Sequence, residues 1–195
     1  MARTHILTAG LCPLTEHDWS CLDAATEPGR LTFHELTLAD SQWQHQAWRA
    51  AIISDDRRQS TIENTTAAHL VLALIHRRLR SFWQTQCGLR APVVLRAQAH
   101  LLKTGCFIGA HIDNCYDERY LFSVVFHFQQ AYEGGALVLD DGTVCHSNEA
   151  CVVVLPGDIG HRVDTVTAGE RRTVVVFVGE EKRKYRRSGL ASAPS

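Results

Sequence analysis

The chain has 195 residues, of which 45% are hydrophobic and 21% are charged, and its formal net charge is −1. This size and composition suit a folded domain with a sizeable core and exclude a wholly disordered chain. A nearly neutral charge argues against a protein that mainly coats nucleic acid, and no apolar run approaches the roughly 20 residues of a membrane span.

The first residues and the cysteines predict the compartment. The chain starts with MARTH, which lacks the apolar segment of a secretory signal. None of the seven cysteines belongs to a C-x-x-C pair, so we expect free thiols rather than disulfides or a zinc knuckle. The sequence therefore predicts a cytoplasmic protein.

Two stretches of the N-terminal half have apolar residues at helical spacing. Residues 37–53 carry them at intervals that a helix could use. Residues 64–86 form a clearer pattern, with an apolar stripe that begins at Leu70 and Leu74, and Gly88 follows as a plausible stop. We expect helices over both stretches.

The pattern changes after Pro92 to short runs rich in β-branched and aromatic residues, separated by glycine-rich turns. These runs predict strands over residues 93–102, 121–128, 136–139, 150–155, 163–167 and 173–178. Several short strands with such turns indicate an antiparallel sandwich or barrel.

The predicted fold class is α+β, with helices from the N-terminal half packed on a β-barrel. We expect a single domain over residues 1–181, helical over about 1–90 and barrel-forming over about 91–181. Residues 182–195 form a basic tail that we expect to be flexible. A basic run of this kind could bind nucleic acid, although a solvated terminus explains it more simply.

Three residues have the types and spacing of a metal site. His111 and Asp113 are two positions apart, and side chains at that spacing share one face of an extended segment. His161 follows later in the predicted barrel. Two imidazoles and one carboxylate form the facial triad of non-haem Fe(II) oxygenases, which leaves coordination positions open.

An arginine ten residues after His161 strengthens this interpretation. A barrel strand can bring Arg171 back beside the metal, with the hydroxyl of Thr173 on the same face. A guanidinium grips a carboxylate with two hydrogen bonds. A dicarboxylate co-substrate such as 2-oxoglutarate would fit between the metal and Arg171.

The segment from residue 101 to residue 178 resembles the Fe(II)/2-oxoglutarate-dependent dioxygenases, in particular the prolyl 4-hydroxylase-like and PKHD-type branch. The matching stretches, in order, are GCFIGAHIDN (105–114), RYLFS (119–123), YEGGALVLDD (132–141), LPGD (155–158) and the run from His161 to Arg171. The resemblance implies a double-stranded β-helix (jelly-roll) core, with His111, Asp113 and His161 as iron ligands and Arg171 as the residue that holds 2-oxoglutarate.

This sequence departs from the family at one position of the expected co-substrate pocket. The family often has a tyrosine three residues before the glycine that corresponds to Gly105, and Leu102 stands there instead. Either Thr173 and another strand residue supply the missing hydrogen bond, or the pocket is altered. Halogenating relatives replace the carboxylate ligand with a small residue, so the presence of Asp113 favours hydroxylation or another two-electron oxidation.

The predicted function is an Fe(II)- and 2-oxoglutarate-dependent oxidation, with O2 as the second co-substrate, of a small polar, amino-acid-like substrate. Asn114 and Arg119 are the candidate substrate-binding residues, but Arg119 could equally pair with Asp117 or Glu118 at the surface. Three alternatives remain open: a protein or peptide hydroxylase, a nucleic-acid demethylase and a non-enzymatic metal-binding barrel. The sequence predicts neither a membrane partner nor an oligomeric state.

Overall fold

The computed structural model describes residues 3–8, 11–39, 44–56, 59–145 and 149–181. Within these ranges the chain forms helices α1 (Glu16–Thr26), α2 (Thr65–Ala73) and α3 (Arg80–Phe82). The strands are β1 (His5–Leu7), β2 (His34–Ala39), β3 (Gln44–Asp55), β4 (Ser60–Ile62), β5 (Pro92–Lys103), β6 (Phe107–His111), β7 (Phe122–His127), β8 (Tyr132–Gly134), β9 (Leu137–Leu139), β10 (Val144–Cys145), β11 (Cys151–Pro156), β12 (His161–Val163) and β13 (Val166–Glu180).

The helix predicted over residues 64–86 is confirmed. Asn64 caps it, because its side chain accepts a hydrogen bond from the backbone N–H of Ala67. After α2 the segment continues through a π-helical turn, α3 and a second π-helical turn that ends at Cys87. Gly88 then adopts a left-handed conformation, φ 70°, which ends the helix.

The helix expected over residues 37–53 is wrong, because β2 and β3 occupy this stretch. β3 pairs with β2, β4, β5 and β6, and its pairing with β5 shifts register between Ala51 and Ile53. Ala47 packs inside the barrel and Ala50 packs against the helices, so both faces of β3 bury apolar side chains, and their spacing imitates a helix. The N-terminal half thus supplies strands as well as helices to the fold.

The strands form a curled antiparallel sheet in the order β1-β11-β7-β13-β5-β3-β6-β12-β9-β10. The predicted double-stranded β-helix core is confirmed. The break expected near Gly169 is absent: β13 runs through it, and the glycine has a positive φ of 79° where the strand passes β8. β13 is the central strand, with β5 on one side and β7 on the other.

Alternate residues of the central strands belong to two separate cores. One face packs against the helices, where Val176 and Phe126 lie in one cluster with Trp83 of the helical segment. The opposite face lines the inside of the barrel, where Val175 and Leu139 pack. The inner core leaves room for polar residues, and these form the site described below.

No helix within the described ranges is long and apolar enough to cross a membrane. The predicted basic tail, residues 182–195, lies outside the described residues.

Candidate active site

The pairing of two strands brings the three predicted metal ligands together. β6 ends at His111, and β12 begins at His161, which lies opposite His111 in the antiparallel register. Asp113 follows one extended residue later, at the start of a short 3₁₀ turn. One ligand atom from each of the three side chains lies within 4.8 Å of the other two.

Backbone carbonyls fix the orientation of both histidines. The Nδ1 of His111 lies 2.8 Å from the carbonyl oxygen of Gly109, and the Nδ1 of His161 lies 3.0 Å from that of Ile159. If each Nδ1–H donates to its carbonyl, each Nε2 keeps its lone pair. The Nε2 atoms are 3.4 Å and 3.7 Å from the Asp113 carboxylate, so the three donors converge on one point.

Ser123 on β7 supports the carboxylate. Its hydroxyl donates to Oδ2 of Asp113 over 2.5 Å, and both side chains are buried. Burial alone would raise the pKa of Asp113, but its interactions with the two imidazoles and the hydrogen bond from Ser123 outweigh it and lower the pKa. Burial lowers the pKa of His161. An ionised carboxylate and a neutral imidazole are the forms that bind a metal.

Two further predicted residues face the same cavity as this cluster. The cavity has a volume of about 160 Å³, and Arg171 and Thr173 line it together with His111, Asp113 and His161. Arg171 is only 2% exposed. Within the described part of the chain, its Nε and the hydroxyl oxygen of Thr173 have no hydrogen-bond partner.

A glycine makes room for this arginine. A Cβ on Gly135 would lie 3.1 Å from Cδ of Arg171 and 3.2 Å from the Tyr132 ring, and the glycine itself has a positive φ of 60°. The absence of a side chain at Gly135 thus lets the guanidinium pass into the barrel, where Tyr132 forms a hydrogen bond with it.

The structure places the two predicted substrate-binding residues elsewhere. Asn114 donates its backbone N–H to the carbonyl of Gly157. The guanidinium of Arg119 lies 2.6 Å from a carboxylate oxygen of Asp117 and 2.7 Å from one of Asp55. Neither residue is among those that line the cavity. The surface ion pair considered for Arg119 is present, and it engages the guanidinium away from the metal ligands.

Comparison with solved structures shows which proteins this chain resembles. The chain is similar to an oxidoreductase of the 2OG-Fe(II) oxygenase family from Burkholderia pseudomallei, with a TM-score of 0.80 and 26% identity over 92% of this chain and 86% of that one. The resemblance to the Fe(II)/2-oxoglutarate oxygenase superfamily is confirmed. The predicted enzyme class, a dioxygenase, is confirmed at the level of this superfamily. The predicted cofactor, Fe(II), and the predicted co-substrates, 2-oxoglutarate and O2, are confirmed at the same level.

Two prolyl hydroxylases share the oxygenase fold at lower identity. One is a Pseudomonas putida prolyl-4-hydroxylase, with a TM-score of 0.59 and 17% identity over 92% of this chain and 93% of that one. The other is a Trichoplax adhaerens prolyl hydroxylase in complex with a peptide fragment, with a TM-score of 0.64 and 14% identity over 91% of this chain and 83% of that one. No protein-family model and no curated protein matches the sequence.

Leu102, which stands where oxygenases of this type often carry a tyrosine, lies opposite Arg171 in the β5–β13 register and is fully buried. Other polar side chains lie nearby. Both ring nitrogens of His127 and the Oε1 of Gln98 are buried without a partner among the described residues. His127 pairs with Thr173 across β7 and β13.

Three more cavity residues were missed because they come from a strand expected to be helical or carry no motif. His45, on β3, accepts a hydrogen bond from the backbone N–H of Gly109 over 3.1 Å, and its ring lies 5.4 Å from that of His111. Arg49 and Arg96 also line the cavity. A strand assignment for residues 44–55 would have placed His45 and Arg49 on one face.

Proposed function

We propose that this oxygenase oxidises a C–H bond of a small polar, amino-acid-like substrate while it converts 2-oxoglutarate and O2 to succinate and CO2. In this proposal His111, Asp113 and His161 hold the iron, and Arg171 and Thr173 bind the distal carboxylate of 2-oxoglutarate. The iron, when bound, supplies the oxygen chemistry, while the chain's residues bind and orient the reactants and exclude water.

The observation that carries the proposal is one cavity with two complementary halves. The three convergent donors have the composition that suits Fe(II). Facing the same space, the Nε of the buried Arg171 guanidinium and the buried Thr173 hydroxyl lack hydrogen-bond partners within the described residues. Unpaired buried polar groups are costly, and a ligand carboxylate satisfies both. A dicarboxylate bound between the two halves would use all five residues.

His127 fits this proposal as a further donor to the distal carboxylate. Burial and the charge of Arg171 lower its pKa well below the usual value, so the ring is neutral and carries one N–H. It lies beside Thr173, on the inner face of β7. We assign to His127 the hydrogen bond that a tyrosine at the position of Leu102 would provide.

The size of the cavity supports a small reacting group. An enclosed cavity of about 150 Å³ holds a molecule the size of benzene. A space of about 160 Å³ that also receives 2-oxoglutarate therefore admits only a small part of any substrate. This favours a metabolite over a large folded partner, and a peptide that inserts one side chain is the alternative to test beside it.

The test is succinate release by the purified protein with Fe(II), 2-oxoglutarate and O2. We expect turnover that chelation abolishes. The His161→Ala variant should release succinate more than about 100-fold more slowly than the wild type. Even the loss of a hydrogen-bond partner of a metal ligand reduces activity or metal affinity by about 10–100-fold. His69→Ala, at an exposed helical position, is the matched control and should retain turnover.

Amino acids and peptides should then be screened in parallel for oxygen addition by mass spectrometry. Wild-type turnover by His161→Ala would refute the metal assignment. Oxidation of peptides with none of the amino acids would refute the small-substrate proposal and leave the oxygenase assignment intact.

A further inference from the structure

Two arginines outside the proposed iron and 2-oxoglutarate sites line the same cavity. Arg49 comes from β3 and Arg96 from the neighbouring β5, and both side chains are partly buried. Their place in the barrel follows from the alternation of each strand. Arg96 shares a face with Gln98, and Arg49 shares one with His45. Nothing in the proposed function so far uses either guanidinium.

Neither arginine forms an ion pair with a carboxylate within the described residues, in contrast to several other arginines there. Arginines 78, 119, 162 and 172 each pair with an aspartate. The guanidinium of Arg96 instead lies over the Phe177 ring, 5.8 Å from its centre, and interacts with the Tyr120 hydroxyl. These aromatic contacts position the guanidinium without neutralising it.

The two positive charges act on each other. Burial and the charge of Arg96 both lower the pKa of the Arg49 guanidinium, although an arginine stays charged at any physiological pH. Asp113 is the one acidic residue among the described residues that line the cavity. Without a bound anion, the cavity therefore holds two guanidinium groups that repel each other.

When Fe(II) and 2-oxoglutarate are bound, no negative charge remains to compensate these two arginines. The charges of Fe(II), the Asp113 carboxylate, the 2-oxoglutarate dianion and the Arg171 guanidinium cancel. The histidines contribute none when they bind a metal in the neutral form. Arg49 and Arg96 then remain as two uncompensated positive charges beside the reacting centre.

Strand register separates Arg96 from the 2-oxoglutarate end of the cavity, whereas Arg49 pairs with His100 and so lies nearer to Thr173. Arg96 pairs with Phe177, and so does Ser123, whose hydroxyl holds the Asp113 carboxylate. Arg96 is therefore level with the metal ligands. Arg171 lies six residues earlier on β13, roughly 20 Å along the strand. One carboxylate cannot be bound by Arg171 and Arg96 together.

We propose that Arg49 and Arg96 form an oxyanion subsite that binds a carboxylate or phosphate group of the primary substrate. The inference rests on the proposed function and deepens it, because it restricts the substrate to small acids. Guanidinium groups present paired N–H donors that match the oxygens of both groups. The bound anion would offset the repulsion between the two arginines and hold the substrate's C–H bond near the iron.

The test uses the full chain loaded with Fe(II) and 2-oxoglutarate under anaerobic conditions. Binding of benzoate, inorganic phosphate and the neutral analogue benzamide is measured by calorimetry. We expect at least one of the two anions to bind and benzamide not to bind. The preference between benzoate and phosphate identifies the group that the substrate carries.

Arg49→Gln and Arg96→Gln should each weaken the anion's affinity about tenfold or more, equivalent to at least about 1.4 kcal/mol. Arg162→Gln, whose guanidinium is exposed and pairs with Asp164, is the matched control and should leave it unchanged. The two test variants should retain the wild-type KM for 2-oxoglutarate. Their thermal unfolding without ligand should occur at or above the wild-type temperature, because a repulsion has been removed.

Three results would overturn the subsite: equal binding of benzamide and benzoate, no binding of either anion, or full binding by the Arg49→Gln/Arg96→Gln double variant. An increase in the KM for 2-oxoglutarate in place of the weakened anion binding would assign the arginines to the co-substrate. Succinate release by the wild type, measured on the same preparation, distinguishes failure of the subsite from failure of the proposed function. If it is present, only the subsite fails. If it is absent, the proposed function fails as well.

Discussion

Alternate residues of β5, β7 and β13 point into two different surroundings. On the outer face, Ala97, Phe126 and Val176 are fully buried against the helices and belong to one apolar cluster. On the inner face, Gln98, His127 and Thr173 are also buried, yet each carries a polar atom without a partner in the described part of the chain.

In the proposed function, the same strands therefore stabilise the fold on one side and bind ligand on the other. Apolar burial stabilises the fold by roughly 25 cal/mol per Å². Buried polar groups without partners oppose folding, and proteins retain them where a ligand completes their hydrogen bonds. Substitutions on the outer face should consequently lower the free energy of unfolding, whereas substitutions on the inner face should raise the KM for 2-oxoglutarate.

The largest expected effect on stability comes from the outer face. Phe126→Ala removes a fully buried ring that packs edge-on against Trp19, with ring centres 6.2 Å apart. We expect the free energy of unfolding to fall by about 3–5 kcal/mol, measured by urea denaturation. The KM for 2-oxoglutarate of the folded fraction should be unchanged, and an increase in it would show that the two faces are not independent.

The sharpest comparison uses two adjacent arginines of β13. Arg171→Leu should raise the KM for 2-oxoglutarate tens-fold or more, because truncating one partner of a buried charge pair costs about 2–5 kcal/mol. The ligand-free protein should not lose stability, since the variant removes a buried charge.

Arg172→Leu is the matched control on the other face. This guanidinium pairs with Asp23 and lies 5.4 Å from the centre of the Phe128 ring. The variant should keep the wild-type KM and lose no more than about 1 kcal/mol of stability. The opposite outcome for the two variants would mean that the register of β13 is shifted by one residue.

The smallest expected effect is on pH dependence. Burial, together with the positive charges of Arg171 and Arg49, lowers the pKa of His100 to about 3. In the unfolded chain this histidine titrates near 6.5, so below that pH the unfolded state binds a proton that the folded state does not. Stability should fall as the pH is lowered from about 6.5 towards 3.

His100→Gln should reduce this slope by up to about 1.4 kcal/mol per pH unit, because it removes one of the protons that unfolding takes up. The measurement is urea denaturation at several pH values in this range. His69→Gln, at an exposed position, should leave the slope as in the wild type. A variant His100→Gln with the wild-type slope would show that His100 is protonated in the folded protein.

Some features could be predicted from the sequence because they depend on local pattern. The helix from Asn64 to its stop at Gly88 has a cap, an apolar stripe and a terminating glycine, all close together in the chain. His111 and Asp113 share one short motif. Such signals need no knowledge of which strands meet.

Other features depend on pairing between distant segments. Residues 44–55 imitate a helix because both faces of β3 bury apolar side chains, so Arg49 could not be placed on a strand. Arg96 is an isolated arginine in an apolar run, and it becomes notable only when β3 and β5 place two guanidinium groups in the cavity that the metal ligands also line. His127 is conspicuous only once both of its ring nitrogens are found buried.

The pairing of β6 with β12 also sets the order in which the protein can mature. His111 and His161 lie about 50 residues apart in the chain and become neighbours only when the two strands meet. Before that, the chain offers the metal one histidine and one carboxylate, which bind it weakly. Such long-range pairing forms slowly compared with local helices. Tight iron binding therefore requires that the barrel has closed, and the bound metal then stabilises the folded state.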